Sequence, residues 1–160
     1  MRPRVYVETS VLSYLTALPS RDLVRAAHQQ VTVEWWATRE EFDLFISQAV
    51  LAEVTKGDPA AATRRLAVTE GLDVLSATPD AQRLATALLE AAALPSKAAI
   101  DAAHVAIAAV HGMNVLLTWN CTHIANALMR PRIERICRDN GVEPPVICTP
   151  EELHQKKEDA

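Results

Sequence analysis

Short apolar runs alternate along this chain with longer stretches in which apolar residues recur every three or four positions. The runs at residues 4–7, 43–46, 72–75, 115–118 and 145–148 read as five strands. Between them, residues 11–17, 22–39, 48–56, 59–70, 79–92 and 96–111 follow the helical period, as does 123–140 with a break expected at Pro131. Leu23, Ala26, Ala27 and Val31 are the expected buried stripe of the second helix. Gly57 and Gly112 stand where helices commonly stop, and Pro19 and Pro95 interrupt the pattern. Strand and helix in strict alternation imply an α/β fold, with a parallel sheet covered on both faces. Ligands of such sheets sit beyond the carboxyl ends of the strands, so chemistry is sought there.

Composition narrows the class. The 160 residues suit one domain, expected over 1–153, with a polar tail at 154–160. Apolar residues make up 49% and charged residues 22%, a globular balance rather than a disordered one. The net charge of −4 means that a nucleic-acid partner must be met by a local basic patch or by metal ions. The N-terminal apolar run is broken by Glu8, Thr9 and Ser10, and the run around 98–110 by Asp101 and His104. Neither a signal peptide nor a membrane span is therefore expected. Three cysteines without zinc spacing (Cys121, Cys137, Cys148) suggest reduced thiols and a cytoplasmic setting.

Polar residues gather at the expected carboxyl edge. Glu8, Thr9 and Ser10 follow the first strand, Glu53 lies on the helix after the second, and Asn120 follows the fourth. Asp101 sits one turn into the helix that begins near Ser96. Carboxylates that converge repel one another and lose hydration, so a convergent set calls for a divalent cation. The same residues admit plainer roles: Glu8 as a helix cap, Asp101 as a charge favoured by its helix dipole.

Four blocks, VYVETSVLSYL at 5–15, AVLAEV at 49–54, KAAIDAAHVAIAAVHGMNVLLTWN at 97–120 and the closing PPVICTPEEL, together resemble the PIN-domain family. More narrowly, they resemble the toxin nucleases of VapBC-type toxin–antitoxin pairs. The resemblance runs from about residue 4 to 153. It implies a three-layer α/β/α fold with a central parallel sheet of about five short strands. It also implies a Mg²⁺- or Mn²⁺-dependent endoribonuclease that cuts structured RNA, is held by a cognate antitoxin and forms a homodimer. The implied metal ligands and catalytic residues are Glu8, Glu53, Asp101 and Asn120, supported by Ser10, Thr118 and His104. Glu53 and Asp101 match the family pattern outright. Glu8 stands where Asp is usual, its extra methylene shifting the carboxylate by roughly 1.5 Å. Asn120 also stands in place of Asp, keeping an oxygen but losing a charge.

These departures keep a second reading open, a catalytically degenerate PIN domain that binds RNA or protein. Further residues have two readings each. His104 shares a helix face with Asp101 and serves either acid–base chemistry or the core, beside Ile100, Ala103 and Ile107. His123 and Asn126 either line the crevice or close its rim, and Trp119 either stacks on a base or packs internally. Arg130, Arg132, Arg135 and Arg138 form a basic stripe for RNA or an acidic antitoxin segment, or a solvated face.

Overall fold

The computed structural model describes residues 1–153, so the tail expected at 154–160 lies outside the described residues. The sheet grows from strand β1 (Arg4–Val7), whose Val5, Tyr6 and Val7 are all fully buried. Consecutive strand residues face opposite ways, so this burial means that both faces of the sheet are covered. Helix α1 (Thr9–Thr16) follows directly, then α2 (Leu23–Trp36), strand β2 (Asp43–Ser47), α3 (Gln48–Val54) and α4 (Pro59–Thr69). Strand β3 (Asp73–Leu75), α5 (Pro79–Glu90), α6 (Ala99–Val110) and β4 (Val115–Leu117) come next. The described chain closes with α7 (Arg130–Asp139), β5 (Val146–Cys148) and α8 (Pro150–Leu153).

The five strands are parallel, in the order β3-β2-β1-β4-β5. Tyr6 of β1 lies opposite Phe45 of β2 and Leu116 of β4. The chain winds to one side of β1 through β2 and β3, then crosses to the other side through β4. The carboxyl ends of β1 and β4 therefore flank a topological switch point, where such sheets bind ligands. No helix among the described residues is long and apolar enough to cross a membrane.

Local chemistry fixes most helix ends. Asp22, Ser47, Asp58 and Thr78 each cap a helix by accepting a backbone N–H with the side chain. Gly112 adopts φ +69° after α6, a conformation L side chains rarely adopt, while Arg4 reaches the carbonyls of His111 and Gly112.

Four expectations are corrected. The helix expected over 123–140 starts only at Arg130, and residues 121–129 form turns and bends instead. The side chains of Asn120 and Asn126 accept N–H groups of His123 and Leu128, which favours turns over a continuing helix. Pro131 does not break a helix but sits in the first turn of α7, where its missing N–H costs nothing. The second helix buries Thr32 and Trp35, while Leu23 is 86% exposed, because the core meets only its C-terminal half. Likewise Ile100 is 46% exposed, and His104 lies inside the buried face of α6 that Ile100 was expected to mark.

Candidate active site

The sharp turn from β1 into α1 is built by Glu8 itself. Its backbone is extended, and its Oε2 accepts the N–H of Ser10 at 2.6 Å, capping α1. The other oxygen, Oε1, accepts from the Thr118 hydroxyl at 3.1 Å. Ser10 Oγ accepts the N–H of Trp119 at 2.8 Å, and Thr118 Oγ1 accepts that of Asn120 at 2.9 Å. The loop after β4 is thus stitched to the turn after β1. Glu8 is 4% exposed, and burial pushes its carboxyl above the ordinary range. The charge of His104 and the donors of Ser10 oppose that rise, and the charge of Glu53 adds to it.

Asn120 carries the network onward. Its Nδ2 donates to Asp101 Oδ1 at 3.0 Å, and its Oδ1 accepts the backbone N–H of His123 at 3.0 Å. His123 Nδ1 lies 2.8 Å from Asp101 Oδ2, so both oxygens of Asp101 have a donor. Glu8, Ser10, Thr118, Asn120 and Asp101 therefore form one hydrogen-bonded chain across the crevice.

Glu53 belongs to a second chain. Its Oε1 accepts from Thr9 Oγ1 at 2.6 Å and from His104 Nε2 at 2.5 Å. His104 is 1% exposed, and its Nδ1 lies 2.7 Å from the hydroxyl of Tyr6, which also meets Ser47 Oγ at 2.6 Å. Burial holds the Tyr6 phenol far above its usual range, so it stays a hydroxyl. Nε2–H donates to Glu53, and Nδ1 shares its hydrogen bond with the Tyr6 hydroxyl. Burial alone would raise the Glu53 carboxyl. The hydrogen bonds from His104 and Thr9, with the charges of His104 and Lys56, more than reverse this and hold it below the ordinary value.

With both ring nitrogens engaged and no exposed edge, His104 is a buried hydrogen-bonding residue that orients Glu53. Trp119 is packed: it stacks on His28 with centroids 4.0 Å apart, and its indole N–H donates to Thr32 at 2.8 Å. Asn126 bonds the Cys121 carbonyl and closes its own turn. Tyr6 and Ser47 were not singled out from the sequence, and Thr9 was noted only as a polar residue after the first strand. The signal was there, because a phenol within a wholly buried strand must find a polar partner.

The four arginines lie along α7. Arg130 donates to the Ile147 carbonyl and pairs loosely with Glu152 at 3.9 Å, and Arg138 pairs with Glu143 at 3.3 Å. Arg132 and Arg135 are exposed.

Among the described residues, no three His, Cys, Asp or Glu side chains stand close enough to form a ready-made metal site. The donor set still fits one kind of ion. Mg²⁺ and Mn²⁺ prefer oxygen ligands, and Mg²⁺ is commonly held by one or two carboxylates together with substrate phosphates. Mutually repelling Glu8 and Glu53 at the switch point, with Asp101 in the same crevice, supply such oxygens.

The PIN domain family model matches residues 5–120. No curated protein sequence matches the chain. Among solved structures, the fold is similar to that of Mycobacterium tuberculosis VapC20, described as a sarcin–ricin loop cleaving toxin. That likeness has a TM-score of 0.59 at 20% identity and covers 74% of this chain and 92% of that one. It is also similar to VapBC2 from Rickettsia felis bound to a DNA fragment from its promoter, with a TM-score of 0.54 at 14% identity. There the likeness covers 91% of this chain and 98% of that one.

Proposed function

Because the chain belongs to the PIN domain family, we propose that it is a divalent-metal-dependent endoribonuclease, the toxin half of a toxin–antitoxin pair. The observation that carries this reading is the coupled pair Glu8 and Glu53 after β1 and β2, with Asp101 joined to Glu8 through Thr118 and Asn120. When bound, the ion would lower the pKa of a water molecule and neutralise charge developing on the phosphoryl oxygens. Glu53 and Asp101 would hold it, with Glu8 behind them.

The protein's own groups do the rest. Thr9 and His104 keep Glu53 ionised and fixed in direction. Thr118 and Ser10 hold Glu8 against the β4 loop. Arg132 and Arg135 offer unspent charge to phosphates, and the stitched turns keep the crevice in shape before substrate arrives. By analogy with the tuberculosis protein, the substrate is a structured RNA. The likeness to the Rickettsia VapBC2 complex supports an antitoxin as partner. The protein is expected to act as a homodimer in the cytoplasm.

A second reading, a PIN domain that binds without cutting, is favoured by one feature. Both Glu8 oxygens are spent on hydrogen bonds, and Asn120 stands where the family pattern has a carboxylate. Cleavage of structured RNA with Mn²⁺, compared between wild type and Asp101→Asn, separates the two. Activity lost in the variant supports the nuclease, and a folded but inactive wild type supports the binder.

A further inference from the structure

The side chain of Asn120 cannot be turned round. Its amide meets a carboxylate oxygen on one side and a backbone N–H on the other. Flipping it would set oxygen against oxygen and N–H against N–H, so Nδ2 must face Asp101 and Oδ1 must face His123. The oxygen that an ion would use already accepts one N–H of the turn, which fixes its direction and leaves it a single lone pair. The backbone carbonyl of Asn120 is spent, accepting from Ile124 at 3.2 Å and Ala125 at 2.8 Å. His123, positioned by that same turn, brings Nδ1 to the second oxygen of Asp101.

We propose that Asn120 and His123 form a built-in clamp that holds Asp101 in place with N–H donors, so that Asn120 is a positioning residue and not an ion ligand. The idea rests on the nuclease reading for its purpose but on hydrogen-bond geometry for its substance. In a crevice of carboxylates, the side chain nearest Asp101 would ordinarily repel it unless a cation lay between them. A neutral amide removes that need and leaves the site ordered before any ion arrives. An ion bound to Asp101 is then held more tightly once a substrate phosphate adds its oxygens.

Asn120→Asp is a close test because it keeps the acceptor for the His123 N–H and replaces only the donor. It sets two carboxylates about 3 Å apart, since Nδ2 now lies 3.0 Å from Asp101 Oδ1. The thermal midpoint of the full chain is measured in chelator and then over a Mn²⁺ titration, with calorimetry of Mn²⁺ binding without RNA. Expected is a midpoint below wild type in chelator that Mn²⁺ restores, with Mn²⁺ bound on the order of tenfold tighter than by wild type. Asn120→Ala is expected to lose stability that Mn²⁺ does not restore, while binding Mn²⁺ as wild type does. In cleavage, His123→Ala is expected to lower kcat at unchanged KM, and His123→Asn, whose amide imitates Nδ1, to recover it.

An Asn120→Asp midpoint equal to wild type in chelator would overturn the clamp. So would an Asn120→Ala protein whose Mn²⁺ affinity falls tenfold, because that is the behaviour of a ligand. If Asn120→Asp does not fold, the alanine variant still decides. A wild type that cuts no RNA with Mn²⁺ would instead sink the nuclease reading, and the chelator comparison would stand unaffected.

Discussion

Glu8 shows how one residue serves structure and chemistry at cross purposes. It caps α1 and ties down the β4 loop, yet it is 4% exposed and burial disfavours its charge. A carboxyl whose folded pKa is raised stabilises the fold below its unfolded value, near 4.5, and that contribution is lost as pH rises through the folded value. Glu8→Gln keeps the shape and an acceptor for Ser10 without the charge. The variant is expected to melt above wild type at neutral pH, with the gap closing as pH falls toward 4.5, while RNA cleavage disappears. Melting curves at several pH values check the first part and a cleavage assay the second. Glu53 has the opposite sign: its lowered carboxyl adds stability above the unfolded value, lost as pH falls through the folded one. Behind it, Tyr6→Phe leaves His104 Nδ1 and Ser47 short of a partner in the core, expected to cost about 1–3 kcal/mol by denaturant unfolding. Weaker cleavage is expected alongside, because Glu53 loses its support.

Among the elements, the strands were legible because each is a short apolar run, and the sheet places β1 and β4 where alternation with helices requires. Helices α3, α4 and α5 were legible from their apolar period, and Ser47, Asp58 and Thr78 cap them in the fold. The segment after β4 was not legible as turns. Its apolar spacing suits a helix, but Asn120 and Asn126 compete for the backbone, and that outcome depends on Asp101 lying within reach of Asn120. The same distance hid His123 as a partner of Asp101, twenty-two residues away in sequence. Trp119 sits in this segment and locks it to α2. Trp119→Phe is expected to lose roughly 1 kcal/mol of stability through the missing bond to Thr32, with RNA affinity unchanged. A fall in affinity without a fall in stability would return Trp119 to the role of base platform. On α7, Arg132→Ala and Arg135→Ala are each expected to lower the salt dependence of RNA binding by about one unit.

At the scale of the whole molecule, the order of the strands underlies the proposed function. On that reading, Glu8, Glu53 and Asp101 at the carboxyl ends of a doubly covered parallel sheet serve one ion and an RNA phosphate, and the surrounding donors hold each carboxylate in order. The family and the four blocks that carry it were readable along the chain. The division of labour within the crevice was not, because it depends on which side chain donates to which oxygen. The measurement that tests this claim most directly is calorimetric titration of Mn²⁺ into the protein with a cleavage-resistant structured RNA, for wild type and for Asp101→Asn. Cleavage of the natural RNA is followed on the same samples. Mn²⁺ binding that strengthens with RNA is expected in wild type, with both binding and cleavage lost in Asp101→Asn while the fold stays intact. Equal Mn²⁺ binding and equal cleavage in the two proteins would contradict it.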